Sequence, residues 1–311
     1  MTQPIKIRLA GYSPPDSTHS QASIHFKESL EKRLGNAVDV DVYWNILDFG
    51  YRADDLLSMV ECGLLTMCYF STSYLTNLFP ELYQLEIIDL PFVFENEESA
   101  HSALDGALGK YLTEKTEECT GYRVLGYWDN GFRQLSNLLR PVRSPADLEG
   151  MRIRLQPNEV HIKTFELLGA VPVPVDLKEG IEKIVSHDVD AQENPLANTV
   201  TYGVTDHHNH ITMSAHFFGA RGLYIHKESF DSWPEDVRLA VRDSAQEAIQ
   251  VQRDLALSKE KALRVQLEEE GVNVVDLTSS ERKAFVEAIK PILDEARTRL
   301  GEDLFSLLEK S

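Results

Sequence analysis

One long stretch near the end of the chain constrains the fold more than any other part. After Pro234 no glycine or proline interrupts the sequence until Gly271, and apolar residues recur at helical spacing from Val237 onward. Ser232 is expected to cap this helix while Glu235 reaches back to it. A helix of about 36 residues would be about 54 Å long at 1.5 Å per residue, which exceeds the diameter of one small domain. The stretch therefore predicts a helix that lies across two lobes.

Size and charge narrow the class of protein. A chain of 311 residues is long enough for a large core and two lobes. The formal net charge of −19 argues against a nucleic-acid partner, although a local group of arginines can still hold a small anion. No run of about 18 apolar residues is present, so no membrane span is expected. The first four residues lack a signal pattern, so the protein is either cytosolic or a signal has been removed.

The first hundred residues favour an α/β fold. Ile5–Leu9 alternates apolar and basic residues, a helix is predicted up to Leu34, and valines alternate with polar residues over 38–43. Strand, helix and strand in this order favour a parallel sheet with crossover helices. Ser71 follows a third predicted strand, at the carboxyl end where open α/β sheets bind ligands. A simple helix cap is the other interpretation of this hydroxyl, and both can hold together.

The stretch from Gly150 to Pro195 contains two arginines on a short predicted strand. Arg152 and Arg154 should share one face of it, because strand side chains alternate. A buried guanidinium without an anion is costly, and no acidic residue stands at an obvious pairing distance in the sequence. Arg154 therefore either binds the carboxylate of a ligand or lies at the surface with its stem covering apolar area.

Other motifs give weak signals for chemistry. The histidines at 207, 208 and 210 could bind a metal, but adjacent loop histidines are more often solvated, and we predict no metal site. Asp188 and Asp190 could act as acid and base, but we favour a solvated turn and a strand cap as the explanation of these two residues. The sequence contains no nucleophile elbow, phosphate loop or dinucleotide fingerprint. No cofactor is therefore expected.

Several motifs, in order, resemble the solute-binding proteins of TRAP (tripartite ATP-independent periplasmic) transporters of the DctP type. The likeness covers nearly the whole chain, because its motifs extend from Leu90 to the long helix. They are Leu-Pro-Phe-Val-Phe at 90–94, Gly-Phe-Arg-Gln-Leu-Ser-Asn at 131–137, Asp-Leu-Glu-Gly-Met-Arg-Ile-Arg at 147–154, Gly-Ala-Val-Pro-Val-Pro at 169–174, Val-Asp-Ala-Gln-Glu-Asn-Pro at 189–195 and Ser-Ala-His at 214–216.

The resemblance implies a two-lobed venus-flytrap fold of the α/β class, with the ligand between the lobes and a long helix across both. We expect one lobe to comprise 1–129 plus 218–258 and the other 130–217 plus 259–311.

The resemblance also implies the residues that bind the ligand. Arg154 would form the salt bridge to the substrate carboxylate, Arg133 would support that carboxylate, and Asn194 would form a hydrogen bond with it. A guanidinium can grip a carboxylate with two parallel bonds, which lysine cannot do. The remaining expected contacts come from polar, aromatic and apolar side chains. They are Ser71, Phe70, Tyr74, Leu177 and Phe218.

The resulting hypothesis is an extracytoplasmic protein that captures an organic acid and delivers it to the membrane permease of a TRAP transporter. We expect a monomer in the periplasm, with the signal peptide removed. The aromatic residues weakly favour an acid with an apolar or ring portion. Two alternatives remain open, since a fold does not define a function. One is an enzyme such as a dehydratase or lyase, and the other is a cytosolic ligand sensor on the same scaffold.

Overall fold

A computed structural model describes residues 3–309 of the chain as two compact units. The first unit takes its described residues from 1–72, 109–129 and 220–256, and the second from 73–108, 130–219 and 257–311. The chain therefore passes from one unit to the other after residues 72, 108, 129, 219 and 256. The lobe boundaries expected from the sequence remain a prediction.

The strands alternate with helices along much of the chain. In the described residues the strands are β1 (Ile5–Ala10), β2 (Val38–Tyr43), β3 (Met67–Ser71), β4 (Tyr122–Asn137), β5 (Arg152–Leu155), β6 (Val171–Pro174), β7 (Ala191–Asn194), β8 (His210–His226) and β9 (Asn273–Asp276). The helices are α1 (Thr18–Leu34), α2 (Asp55–Glu61), α3 (Leu75–Leu78), α4 (Glu97–Asp105), α5 (Ala107–Cys119), α6 (Glu159–Leu167), α7 (Leu177–Val185), α8 (Leu196–Thr201), α9 (Lys227–Ser232), α10 (Glu235–Glu269), α11 (Ser279–Leu300) and α12 (Glu302–Glu309).

Each unit has its own arrangement of paired strands. In the first unit β1 pairs in parallel with β2 and β3, and β3 pairs antiparallel with the last part of β8. In the second unit β5 pairs in parallel with β6 and β7, and β7 pairs antiparallel with the last part of β4. The predicted parallel α/β character is therefore confirmed, with antiparallel pairs added where β8 pairs with β3 and where β4 pairs with β7.

The predicted long helix is confirmed as α10, which has 35 residues and contributes residues to both units. Its predicted cap is wrong. The Ser232 hydroxyl donates to the carbonyl oxygen of Ser229, at 2.6 Å, because Ser232 ends the short helix α9. None of the helices within residues 3–309 combines the length and apolar character needed to cross a bilayer.

Two predicted boundaries are corrected by the structure. The predicted helix over 99–119 is two helices, because the chain leaves the helical conformation at Gly106 (φ −92°, ψ −150°). The two strands predicted over 213–216 and 222–226 are parts of the single strand β8, which is buried along most of its length. In both places the apolar pattern predicted the correct type of element, a helix or a strand, but not where the element ends.

The core of the second unit fixes the orientation of β5. Ile153 and Leu155 have no solvent exposure and pack in a cluster with Leu135, Phe165 and Phe217. Because strand side chains alternate, Arg154 must lie on the face of β5 opposite to this cluster.

Candidate carboxylate-binding site

Arg154 is buried on the face of β5 that does not point into the apolar core. Only 2 % of its surface is exposed. The alternative of a solvated surface arginine is therefore wrong. A buried guanidinium requires hydrogen-bond partners and a counter-charge, so the contacts of Arg154 decide what this position can do.

Arg154 rests against the beginning of helix α7. Its Nη2 donates to the carbonyl oxygen of Val175 at 2.9 Å. A Cβ atom at Gly180 would lie 2.5 Å from the Arg154 Nε, so only glycine allows this close approach. Nε itself is buried and has no hydrogen-bond partner among the described residues.

The Tyr74 hydroxyl lies beside the Arg154 guanidinium. Burial raises the pKa of Tyr74 to about 12, although the positive charge and the hydrogen bond of Arg154 act in the opposite direction. Tyr74 therefore keeps its proton at neutral pH and can both accept from Arg154 and donate to a bound anion. The structure thus brings together two of the residues predicted from the sequence.

Arg152 differs from Arg154 although the two share a strand. Its side chain is 46 % exposed and forms a bidentate ion pair with Asp190, with Nη2–Oδ1 at 2.7 Å and Nε–Oδ2 at 3.0 Å. The sequence shows no acidic residue at a local pairing distance from this strand, and the partner of Arg152 comes from 38 residues further along the chain. The acid–base interpretation of Asp190 is replaced by a structural one, since its carboxylate also accepts from the Arg152 backbone N–H.

Arg133 forms a fully buried ion pair with Glu193, and the two side chains are 1 % and 0 % exposed. Its Nη2 donates to Oε1 of Glu193 at 2.8 Å and to the backbone oxygen of the same residue at 2.7 Å, and Nε contacts Oε2. Burial acts to raise the pKa of Glu193, but the Arg133 charge and nearby His216 hold it well below its usual range. The described residues leave only Nη1 of Arg133 without a partner. Its charge is therefore already balanced within the protein.

Asn194 lies on the same face of the sheet as Arg154. The register aligns Arg154 with Gln192, two residues before Asn194 on the same strand. The Asn194 Oδ1 accepts from Nδ2 of Asn198 at 3.1 Å, and the same nitrogen donates to Oδ1 of Asn130 at 2.9 Å. Because its oxygen is engaged, Asn194 presents its amide N–H groups as donors, which suits a carboxylate.

Glu260 supports the helix that follows Asn194. The backbone N–H groups of Leu196 and Ala197, at the start of α8, donate to its carboxyl group. Burial raises the pKa of Glu260 from 4.5 to about 7, and the charge of Glu97 adds to this increase.

We expect the titration of Glu260 to be visible in the stability of the protein. The unfolded state releases this proton near pH 4.5 and the folded state near pH 7, so ionisation lowers the free energy of unfolding as pH rises between these values. Glu260→Gln should remove roughly 2–3 kcal/mol of this pH dependence. Urea unfolding at pH 5 and pH 8 measures it, with the exposed Glu269→Gln on the same helix as control. Equal pH dependence in both variants would contradict the assignment.

The other predicted ligand residues fall into three places. Ser71 and Phe70 are buried in the first unit at the end of β3, where the Phe70 ring lies 5.1 Å from that of Tyr12. Leu177 is the first residue of α7 and is mostly buried. Phe218 packs edge-on against Phe94, His101 and Phe132 and lies within the aromatic core of the second unit.

The histidine motif is not a solvated loop throughout. His208 is fully buried, and its Nδ1 lies 3.0 Å from the Ser136 hydroxyl. Burial lowers the pKa of His208 to about 4, with a contribution from the His207 charge, so its imidazole is neutral at pH 7. The described residues contain no group of three metal-ligating side chains.

Three residues of this region were missed in the sequence. Gly180 packs against the Arg154 guanidinium, Asp176 follows the Val175 carbonyl that accepts from it, and Glu193 neutralises Arg133. An aspartate before a helix has the pattern of an ordinary cap, and a glycine within a helix carries no signal for a neighbouring strand. Only the pairing of β7 with β4 could have indicated that Glu193 lies near Arg133.

These features together define a two-lobed solute-binding protein. The chain crosses repeatedly between two α/β units, one long helix has residues in both units, and an arginine is buried. Residues 9–299 match the DctP family, described as bacterial extracellular solute-binding protein, family 7. The chain belongs to this family, whose named members include periplasmic binding proteins.

Individual relatives resemble the chain over nearly its full length. The C4-dicarboxylate-binding periplasmic protein DctP of Rhodobacter capsulatus is 29 % identical over 99 % of this chain and 91 % of its own length. The 2,3-diketo-L-gulonate-binding periplasmic protein YiaO of Escherichia coli is 30 % identical, over 89 % of this chain and 82 % of its own. The sugar acid binding protein DctPAm of Advenella mimigardefordensis, solved with galactonate, superposes with a TM-score of 0.92 at 27 % identity, covering 99 % of this chain and 98 % of that one.

Proposed function

We propose that this protein captures an organic acid outside the cytoplasm, with Arg154 holding the carboxylate of the ligand. The observation that carries the proposal is the state of that guanidinium. It is buried and its Nε has no partner among the described residues, whereas Arg133 and Arg152 form ion pairs with Glu193 and Asp190. A carboxylate from outside the chain would supply the missing counter-charge and accept two parallel hydrogen bonds.

The surrounding residues have distinct parts in this proposal. Asn194 would donate an amide N–H to the carboxylate, and Arg133 would donate through Nη1, the nitrogen left over from its pair with Glu193. Tyr74 would donate its hydroxyl proton. We assign Ser71, Phe70, Leu177 and Phe218 to the remainder of the ligand, as the family resemblance implies.

The ligands for which relatives are named support an acidic ligand for this protein. The relatives above are named for C4-dicarboxylates and for 2,3-diketo-L-gulonate, and one was solved with galactonate. All of these are carboxylates, although they differ in length and in the number of hydroxyl groups. The carboxylate that these ligands share is the group that Arg154 would bind. Their differences in length and hydroxyl groups concern the rest of the ligand.

We infer that the protein binds this acid without converting it and passes it to a TRAP-type permease as a periplasmic monomer. Membership of a solute-binding family supports binding without chemistry. So does Tyr74, whose raised pKa makes it a poor general base at neutral pH. A bound acid followed by NMR should remain unchanged, whereas turnover would favour the enzyme alternative.

A thermal-shift screen against organic acids tests the proposal. A ligand at 100 times its dissociation constant stabilises the folded state by about 2.7 kcal/mol, which is easily measured. We expect at least one carboxylic acid to raise the melting temperature, and its uncharged amide to have no effect. If no acid in a panel from acetate to six-carbon sugar acids raises it, the proposed function is wrong.

A further inference from the structure

Asp176 holds a buried carboxyl oxygen that the protein does not satisfy. The residue is 4 % exposed. Its Oδ2 accepts a long bond, at 3.5 Å, from the backbone N–H of Lys178 and so caps helix α7. Its Oδ1 is shielded from solvent and has no donor among the described residues. A buried acceptor without a donor costs about 1–3 kcal/mol, which a donor from outside the chain, a ligand group or a water molecule, would offset.

Asp176 lies beside the proposed carboxylate grip. It directly follows Val175, whose carbonyl oxygen accepts from Arg154. Its negative charge raises the pKa of Tyr74, whereas the positive charge of Arg154 lowers it. Arg154 nevertheless forms its described hydrogen bond with the Val175 carbonyl and no ion pair with Asp176 among residues 3–309. An unsatisfied acceptor therefore lies one residue after the carbonyl group that holds the Arg154 guanidinium, and the two side chains do not form an ion pair within the described residues.

We propose that Asp176 accepts a hydrogen bond from the ligand whose carboxylate Arg154 holds. The ligand class is then a carboxylic acid that also carries a donor, either a hydroxyl or an ammonium group. A second carboxylate at that position would meet the negative charge of Asp176, and an alkyl group would leave its oxygen unsatisfied. This inference rests on the proposed function and narrows its ligand from any organic acid to donor-bearing acids.

Matched acids test the inference by isothermal titration calorimetry. The probes are D-erythronate, butyrate, succinate and 2-aminobutyrate, with D-galactonate, hexanoate and adipate as a six-carbon series. We expect a donor-bearing acid to bind the wild type at least about tenfold more tightly than the alkyl acid and diacid of the same length. Asp176→Ala should reduce that ratio to about one.

Two further variants separate the possible outcomes. Asp176→Asn keeps a cap and a neutral acceptor, so it should retain a preference for a hydroxyl and lose one for an ammonium group. Glu179→Gln makes the same change of charge on an exposed side chain in the first turn of α7 and should leave the ratio unchanged.

Failure of the inference is distinct from failure of the proposed function. If alkyl acids or diacids bind as tightly as the hydroxylated ones, or if Asp176→Ala keeps the preference, then Asp176 does not select the ligand although the protein still binds acids. If none of the seven probes binds the wild type, both the inference and the proposed function are overturned.

Discussion

Replacing Arg154 with alanine is expected to abolish the stabilisation that an organic acid gives to the wild-type protein. The guanidinium is the proposed counter-charge of the ligand carboxylate, and removing it leaves that charge buried without a partner. Loss of one partner of a buried, hydrogen-bonded charge pair costs about 2–5 kcal/mol of binding. This corresponds to a loss of affinity of roughly 30-fold to several thousandfold. Thermal shift and calorimetry with an acid found in the screen measure the effect.

Two variants show whether charge or geometry is responsible. Arg154→Lys keeps the charge but not the planar pair of donors, so it should recover only a small part of the affinity. Gly180→Ala keeps the guanidinium and adds a methyl group at the position 2.5 Å from Nε, which should displace it and weaken binding. Alanine itself favours a helix interior over glycine, so a loss of binding would not reflect a weaker helix. Unchanged ligand stabilisation in Arg154→Ala would refute the assignment.

Replacing Glu193 with glutamine is expected to destabilise the folded protein by about 3–5 kcal/mol, because it leaves Arg133 charged and buried without its partner. The pKa of Glu193 lies below its usual range in the folded protein, so the pair contributes stability at neutral pH and loses it only in strong acid. Urea unfolding at pH 7 gives the free energy of unfolding directly.

The exposed pair of Lys163 and Glu295 provides a matched control for this prediction. Its side chains are 41 % and 55 % exposed and 3.0 Å apart, so Glu295→Gln should cost no more than about 1 kcal/mol. A double variant, Arg133→Met with Glu193→Leu, should recover much of the loss, because apolar side chains remove both buried charges together. An equal loss of unfolding free energy in Glu193→Gln and Glu295→Gln would contradict the prediction. It would show that a buried cation needs its partner no more than an exposed one does.

The sequence predicted those features that depend on local pattern. The absence of glycine and proline from 235 to 270 predicted the long helix, and alternation in 5–9 and 38–43 predicted the first strands. The position of Arg154 between Ile153 and Leu155 predicted a strand with one apolar face. These features follow from the periods of helices and strands, which a single sequence displays directly.

Predictions from the sequence failed where the role of a residue depends on which other element it packs against. Arg152 and Arg154 have the same local pattern, yet one pairs with Asp190 at the surface and the other is buried against Val175. Ser232 has the pattern of a helix start but ends the preceding helix. Such outcomes depend on which elements pack together, and no local pattern records that.

By itself, the sequence determined an α/β chain with a long helix and a strand arginine that resembles the carboxylate-binding arginine of a transport family. Only the tertiary structure decided which charges are already balanced. It joined Arg133 to Glu193, and it left an Arg154 nitrogen and an Asp176 oxygen buried without partners from the described residues. The physical reason is that the free-energy cost of burying a charge depends on the atoms within a few ångströms of it. Those atoms belong largely to residues that are distant in the sequence.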